Sequence, residues 1–245
     1  MILLVNDDGI DAPGLRALYA ALRTAGLGPV LAVAPAQERS GQSHAITIGR
    51  PLRVEARHEP GFFGFAIDGT PADCVKVALD GLCARAPDLV VSGVNDGPNA
   101  GRSIFYSGTL GAAMEAVVLG HPALAVSRAR GEGGFAPAAA AAAGWAGRLL
   151  ATRTGPMLVN LNLPAGPAGA WRDTRVCRHG LGGFREGYVA ARDRDGRPGW
   201  LLNGTWQPGA AGDDAALLSE GHPTVTLLRP DLNGDQGILT ALAEA

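Results

Sequence analysis

Lysine is nearly missing from this chain of 245 residues: one, Lys76, stands among 21 basic residues. That excludes a phosphate site built on clustered lysines. Net charge is small too, 21 basic residues against 23 acidic giving −2. No global basic field therefore exists to hold a nucleic-acid polymer or an anionic membrane surface. Cysteine is scarce and odd in number, with Cys74, Cys83 and Cys177 widely scattered. They match no zinc spacing and no disulfide framework, so free thiols in a reducing cytoplasm are expected. The apolar start Met1–Val5 has no basic flank and meets Asp7 at once, unlike a signal peptide. The softest stretch, Ala136 to Ala151, is interrupted by Gly144, Trp145, Gly147 and Arg148 and is too short to span a bilayer. No G-x-G-x-x-G follows the first strand and no Walker A pattern occurs, which argues against dinucleotide and P-loop sites.

What is present is a 47% hydrophobic share, ample for a core at a length that suits one α/β domain with or without an appended arm. Short apolar runs alternate with helical patterns. Ile2–Val5, Pro29–Ala34, Asp88–Ser92, Ala123–Ser127 and Met157–Asn162 read as strands. Helices are expected after Pro13 up to Gly26, from Thr70-Pro71 through Leu82, from Thr109 to Leu119 and over Pro137–Ala151. This order predicts an α/β fold with a mostly parallel sheet covered on both faces. From about Arg172 to Ser219 helical periodicity is lost. Arg185–Val189 and Trp200–Asn203 there can pair as a hairpin arm around Asp193-Arg-Asp-Gly196. Val225–Leu228 then returns to strand and Gln236–Ala243 to helix. The expected organisation is an α/β catalytic core over 1–170, with the arm and C-terminal elements over 171–245, in one structural domain.

The chemistry gathers after the early strands. Asn6-Asp7-Asp8-Gly9 follows the first, Glu38-Arg39-Ser40-Gly41 the second, and Gly93-Val-Asn95-Asp-Gly97-Pro-Asn99-Ala-Gly101 the third, while Ser107-Gly108-Thr109 opens a helix. In a parallel sheet these loops meet at the carboxyl ends of the strands, where α/β proteins bind ligands. Asp7 and Asp8 with neutral oxygens from Ser40 and Asn95 would make an all-oxygen site suited to Mg²⁺ or Mn²⁺. The plainer reading of Asp-Asp-Gly is a turn. Two crowded carboxylates repel each other without a cation, which favours the metal. The glycines and asparagines of 93–101 suit an anion, or simply form a surface loop. Ser107-Gly108-Thr109 suits a phosphate at a helix N-terminus, or is an ordinary cap. His44 lies near Ser40 in sequence, and Arg39 either contacts phosphate or is solvated. The remaining histidines lack ligand spacing.

Taken together, these residues resemble the SurE (survival protein E) family. The resemblance rests on Val5-Asn-Asp-Asp-Gly9, Ala12-Pro-Gly14, Ala34-Pro35 with Arg39-Ser-Gly41, Gly69-Thr-Pro-Ala-Asp73, Ser92-Gly-Val-Asn95 with Gly97-Pro-Asn99 and Gly101, and Tyr106-Ser-Gly-Thr109 with Ala113-Met-Glu115. These cover roughly residues 1–130. Asn160-Leu-Asn162-Leu-Pro164 and Glu220-Gly221 match more loosely. His222 stands where family members usually carry Tyr, and Asp96 occupies a variable position.

The resemblance implies a Rossmann-like three-layer α/β/α core, a hairpin arm and an exchanged C-terminal element in a homodimer or homotetramer. It also implies a cytoplasmic, metal-dependent phosphatase of nucleoside monophosphates: a 5′-nucleotidase, with 3′-nucleotidase and exopolyphosphatase side activities. By motif, one divalent cation per subunit falls to Asp7, Asp8, Ser40 and Asn95. Substrate and phosphate contacts fall to Asn6, Arg39, Gly41, Asn99, Ser107, Gly108 and Thr109. Asp7 and Asp8 are the expected catalytic pair, with Asp7 preferred to orient or deprotonate water. The competing reading is a metal-bridged nucleotide-binding or sensing protein without catalysis. Neither a membrane nor a nucleic-acid polymer is an expected partner.

Overall fold

The run Ile2–Val5 forms strand β1, buried along its whole length. Its side chains alternate between two cores: Ile2 and Leu4 face one, Leu3 and Val5 the other. Such a strand is apolar at every position because helices cover both faces of the sheet. The structure is a computed structural model that describes residues 1–152, 155–231, 233 and 243.

Helix α1 (Pro13–Thr24) starts at a proline, and its buried stripe of Leu15, Leu18, Tyr19 and Leu22 packs on the first core. Strand β2 (Val30–Pro35) follows, then an antiparallel pair, β3 (Val54–Glu59) and β4 (Phe62–Ile67). Neither is among the expected strands: β3 is a polar, almost wholly exposed edge strand without the apolar run that marks the others, and the apolar run of β4 is short and broken by Gly64. Helix α2 (Pro71–Val77) opens with a reciprocal capping box. Thr70 Oγ1 accepts from the Asp73 N–H, and the Asp73 carboxylate accepts from the Thr70 N–H. A wider turn over Ala78–Leu82 extends it.

Strand β5 (Leu89–Asp96) runs four residues beyond the expected end at Ser92, so Asn95 and Asp96 are strand-end residues rather than loop residues. Gly93 permits this. A Cβ there would lie 2.3 Å from the Val126 carbonyl oxygen, so only glycine lets the bulged strand stay against its neighbour. Helix α3 (Gly108–Val118), capped by Ser107, leads to β6 (Ala123–Arg128). Helix α4 (Ala136–Thr152) follows, and then β7 (Leu158–Leu163). Short β8 (Arg175–Val176), the hairpin β9 (Gly183–Arg192) and β10 (Pro198–Gln207), helix α5 (Asp214–Ser219) and β11 (Thr224–Leu228) complete the described chain. Helix α5 lies inside the stretch read as non-helical, its six residues being too few for a periodic signal. Apart from Ala243, the helix expected over Gln236–Ala243 lies outside the described residues.

The main sheet orders its strands β3-β4-β2-β1-β5-β6-β7-β11-β8. The block from β4 to β7 is parallel, while β3 and β11 join it antiparallel. Helices α1 and α4 pack together on one face, α2 and α3 on the other, giving three layers. Because β2 pairs on one side of β1 and β5 on the other, the crossovers diverge and a crevice opens at the carboxyl ends of β1 and β5. The hairpin is a separate two-stranded sheet, longer than expected, and most of its side chains are exposed.

Candidate active site

At the end of β1 the Asn6 amide turns the chain. Its nitrogen donates to the Gly9 carbonyl at 2.9 Å, and its oxygen accepts from the Gly9 N–H at 3.2 Å. This places Asp7 and Asp8 at the crevice. Asp7 is buried, and its carboxylate accepts a 2.6 Å bond from the Thr109 hydroxyl on α3. Gly108 makes that approach possible: a Cβ there would sit 2.7 Å from Asp7 Cβ. Burial pushes the Asp7 carboxyl up, against the pull of the Thr109 hydroxyl. Asp8 is pushed up to about 7, first by burial and then by the charges of Asp7 and Glu38.

The other two expected oxygen donors come from neighbouring strand ends. The Ser40 hydroxyl, beyond β2, donates to Glu38 Oε1 at 2.7 Å. Asn95, at the end of β5, donates its side-chain N–H to the Gly97 carbonyl at 2.7 Å, which leaves its side-chain oxygen for a ligand. Among the described residues no three His, Cys, Asp or Glu side chains group closely enough to hold a metal. A cation here must therefore take neutral oxygens beside Asp7 and Asp8. Two like charges that burial penalises, flanked by hydroxyl and amide oxygens, suit a hard divalent cation such as Mg²⁺ or Mn²⁺.

These groups open into a cavity of about 1070 Å³. Asp7, Asp8, Ser40, Gly41, Asn95, Asn99 and Ser107 line it; the expected contacts Asn6, Arg39, Gly108 and Thr109 do not. Asn6 is held in its turn, and Thr109 acts through Asp7. Arg39 gives its backbone N–H to the Asp7 carbonyl at 2.7 Å, while its side-chain Nε is buried without a partner among the described residues. Ser107 Oγ accepts from the Leu110 N–H and caps α3.

Asn99 is held from every side. Its N–H donates to Asn162 Oδ1 at 2.8 Å, and its carbonyl accepts from the Asn160 and Asn162 side chains at 2.9 and 3.1 Å. Its own amide donates to Ser127 Oγ at 2.8 Å. The asparagines of β7 therefore seat the Gly97–Gly101 loop. His44, near Ser40 in sequence, bonds Glu115 of α3 at 2.6 Å. Lys76 bonds the other oxygen of that carboxylate at 2.8 Å, so the lone lysine is committed away from the cavity.

Glu38, Tyr106, Arg130 and Phe184, which carry no expected role in the sequence, also line the cavity, and so does Trp206 at the base of the hairpin, whose expected role is packing or an interface rather than a base-stacking platform. Phe184 and Trp206 pair edge-on at 5.7 Å, and Trp206 donates to Ser219 Oγ at 2.8 Å. Arg130 had a legible signal, since it lies two residues beyond a strand's carboxyl end. Phe184 had none, because only the hairpin's docking brings it and Trp206 there.

Comparison with known proteins gives concordant results. The family model described as survival protein SurE matches residues 2–186. The "5′-nucleotidase SurE" of Nitratidesulfovibrio vulgaris (strain DSM 19637 / Miyazaki F) is 46% identical, over 97% of this chain and 90% of that protein. The "5′-nucleotidase SurE" of Desulfovibrio desulfuricans is 42% identical, over 98% and 96%. Among solved structures, the SurE protein from Aquifex aeolicus superposes with a TM-score of 0.83 at 33% identity, over 99% of this chain and 98% of that one.

Proposed function

This chain belongs to the SurE family, and on that premise we propose that it is a divalent-metal-dependent 5′-nucleotidase, hydrolysing nucleoside monophosphates to nucleoside and phosphate. The observation that carries the proposal is the meeting of Asp7, Asp8, Ser40 and Asn95 at one crevice that opens into a substrate-sized cavity.

One divalent cation per subunit, Mg²⁺ or Mn²⁺, would be held by those four residues. When bound it supplies phosphate charge neutralisation and a more acidic water. The chain's own residues do the rest. The Thr109 hydroxyl fixes Asp7, which orients the attacking water or takes its proton. Glu38 holds the Ser40 hydroxyl by accepting its hydrogen bond, so the oxygen lone pairs remain for a ligand. Asn99, immobilised by Asn160 and Asn162, presents a rigid wall to the phosphate, and Gly41 and Ser107 border the same space. Phe184 and Trp206 offer apolar surface in the same cavity, against which a nucleobase would lie.

The protein is proposed to work in the cytoplasm as a homodimer or homotetramer built through residues 171–245, with no membrane or nucleic-acid polymer as partner. The exposed Tyr188, Trp200 and Leu201 of the arm support an assembly role. Among the described residues no helix is long and apolar enough to cross a membrane.

The deciding experiment measures phosphate release from a panel of 5′- and 3′-nucleotides and short polyphosphate, after chelation and with each metal restored. Metal-dependent release from 5′-monophosphates is expected. Tight nucleotide binding without release would instead make the protein a sensing module.

A further inference from the structure

The cavity's charge balance singles out one residue. Among the described residues, five carboxylates line it, those of Asp7, Asp8, Glu38, Asp96 and Glu186, against a single basic side chain, Arg130. A phosphate monoester brings still more negative charge.

Arg128 and Arg130 lie two residues apart at the end of β6 and differ in what they do. Arg128 is buried and committed: it donates to the carbonyls of Ala129, Gly131 and Gly134 and lies 3.4 Å from the Asp96 carboxylate. Arg130 is exposed at the cavity wall. Its Nε donates to the Asp96 carbonyl at 2.8 Å, which fixes the stem, and its two terminal nitrogens bond nothing among the described residues.

The place where it is fixed matters. A Cβ on Gly97 would project to 3.8 Å from Arg130 Nε and 3.7 Å from the Asn95 amide nitrogen. The missing side chain therefore leaves open a space beside both the guanidinium and the Asn95 head group. A guanidinium presents paired N–H donors that match phosphate oxygens. Arg39, by contrast, does not line the cavity.

We propose that Arg130 is a substrate-contacting residue whose terminal N–H groups bind the non-bridging oxygens of the substrate phosphate. The proposal rests on the nucleotidase reading for the identity of that phosphate.

The test compares wild type with Arg130→Ala and Arg130→Lys as metal-loaded proteins, with thermal midpoints to confirm folding. Inorganic phosphate binding by calorimetry is the first readout. The second is the KM-against-kcat split for a nucleoside 5′-monophosphate, with and without added guanidinium. Arg130→Ala is expected to weaken phosphate binding about tenfold or more, the scale of a lost charge-assisted hydrogen bond. KM should rise more than kcat falls. Lysine should recover part of the binding, and guanidinium ion should recover part of the activity of the alanine variant. Phosphate binding and KM within twofold of wild type in Arg130→Ala would overturn the proposal. Absence of phosphate release by wild type would instead overturn the nucleotidase reading, while the calorimetric comparison still judges Arg130.

Discussion

Asp8 sits beside Asp7 and Glu38 in a half-buried position that raises its carboxyl to about 7. In the unfolded chain the same group releases its proton near pH 4. Between those values the folded state binds more protons, so this group makes the metal-free protein less stable as pH rises through that window. The thermal midpoint in chelator should fall from pH 5 to pH 8, and Asp8→Asn should flatten the fall. A divalent cation held as proposed would bind the ionised pair, so the midpoint gained on adding Mn²⁺ should be larger at pH 8 than at pH 5. Asp8→Asn should also lower turnover by orders of magnitude while far-UV circular dichroism is unchanged. Near-normal activity of that variant with Mn²⁺ would remove Asp8 from the metal site. The residues of this centre were largely legible, since adjacent acids at a strand end are unusual. Arg39 shows the limit: its neighbour Ser40 lines the cavity and it does not.

At the scale of elements, α2 is held at its start by Asp73, which accepts from the Thr70 N–H, the Thr47 N–H and the Thr47 hydroxyl. Burial opposes ionisation there, but these hydrogen bonds prevail and keep the carboxyl below its usual range. A depressed acid contributes stability above its unfolded value, and loses it as pH falls through the folded one. Thr70→Ala should therefore cost about 1 kcal/mol in urea unfolding at pH 7. Asp73→Asn should destabilise at pH 7 and narrow its difference from wild type as the pH is lowered past 4. Helix α2 was legible because a cap and a proline are local signals. Strand β3 was not, because an exposed edge strand carries no apolar alternation. The end of β5 was misplaced because glycine reads as a breaker, whereas here it admits a close neighbour.

For the whole molecule, the buried Asp214 of α5 joins the arm region to the site. Its carboxylate accepts from the N–H groups of Gly101, Gly180 and Ala215 at 3.0, 3.0 and 2.9 Å. The His179 ring bonds the Gly101 carbonyl at 3.0 Å, so both sides of that residue are clamped. Asp214→Ala leaves buried N–H donors unpaired, and should cost roughly 2 to 3 kcal/mol of stability. Because the Gly97–Gly101 loop loosens with it, KM should rise as well, which kinetics on the folded variant can measure. The arm's exposed aromatics predict a second outcome: Trp200→Glu should shift the mass found by light scattering toward the monomer while thermal stability of the core is kept.

The sequence by itself determined the alternation of strand and helix, the parallel sheet and the strand ends near which Asp7, Asp8, Ser40 and Asn95 lie, because apolar runs, caps and breakers act over a few neighbouring residues. Tertiary structure alone decided which polar groups face the cavity and which are spent on the scaffold. Asn6 and Thr109 became supports, Lys76 and His44 were drawn off to Glu115, and Arg130 became the one basic side chain among the described residues that line the cavity. The physical reason is that a side chain's role depends on the partners within about 3 Å of it, and those arrive from distant parts of the chain only when the sheet closes.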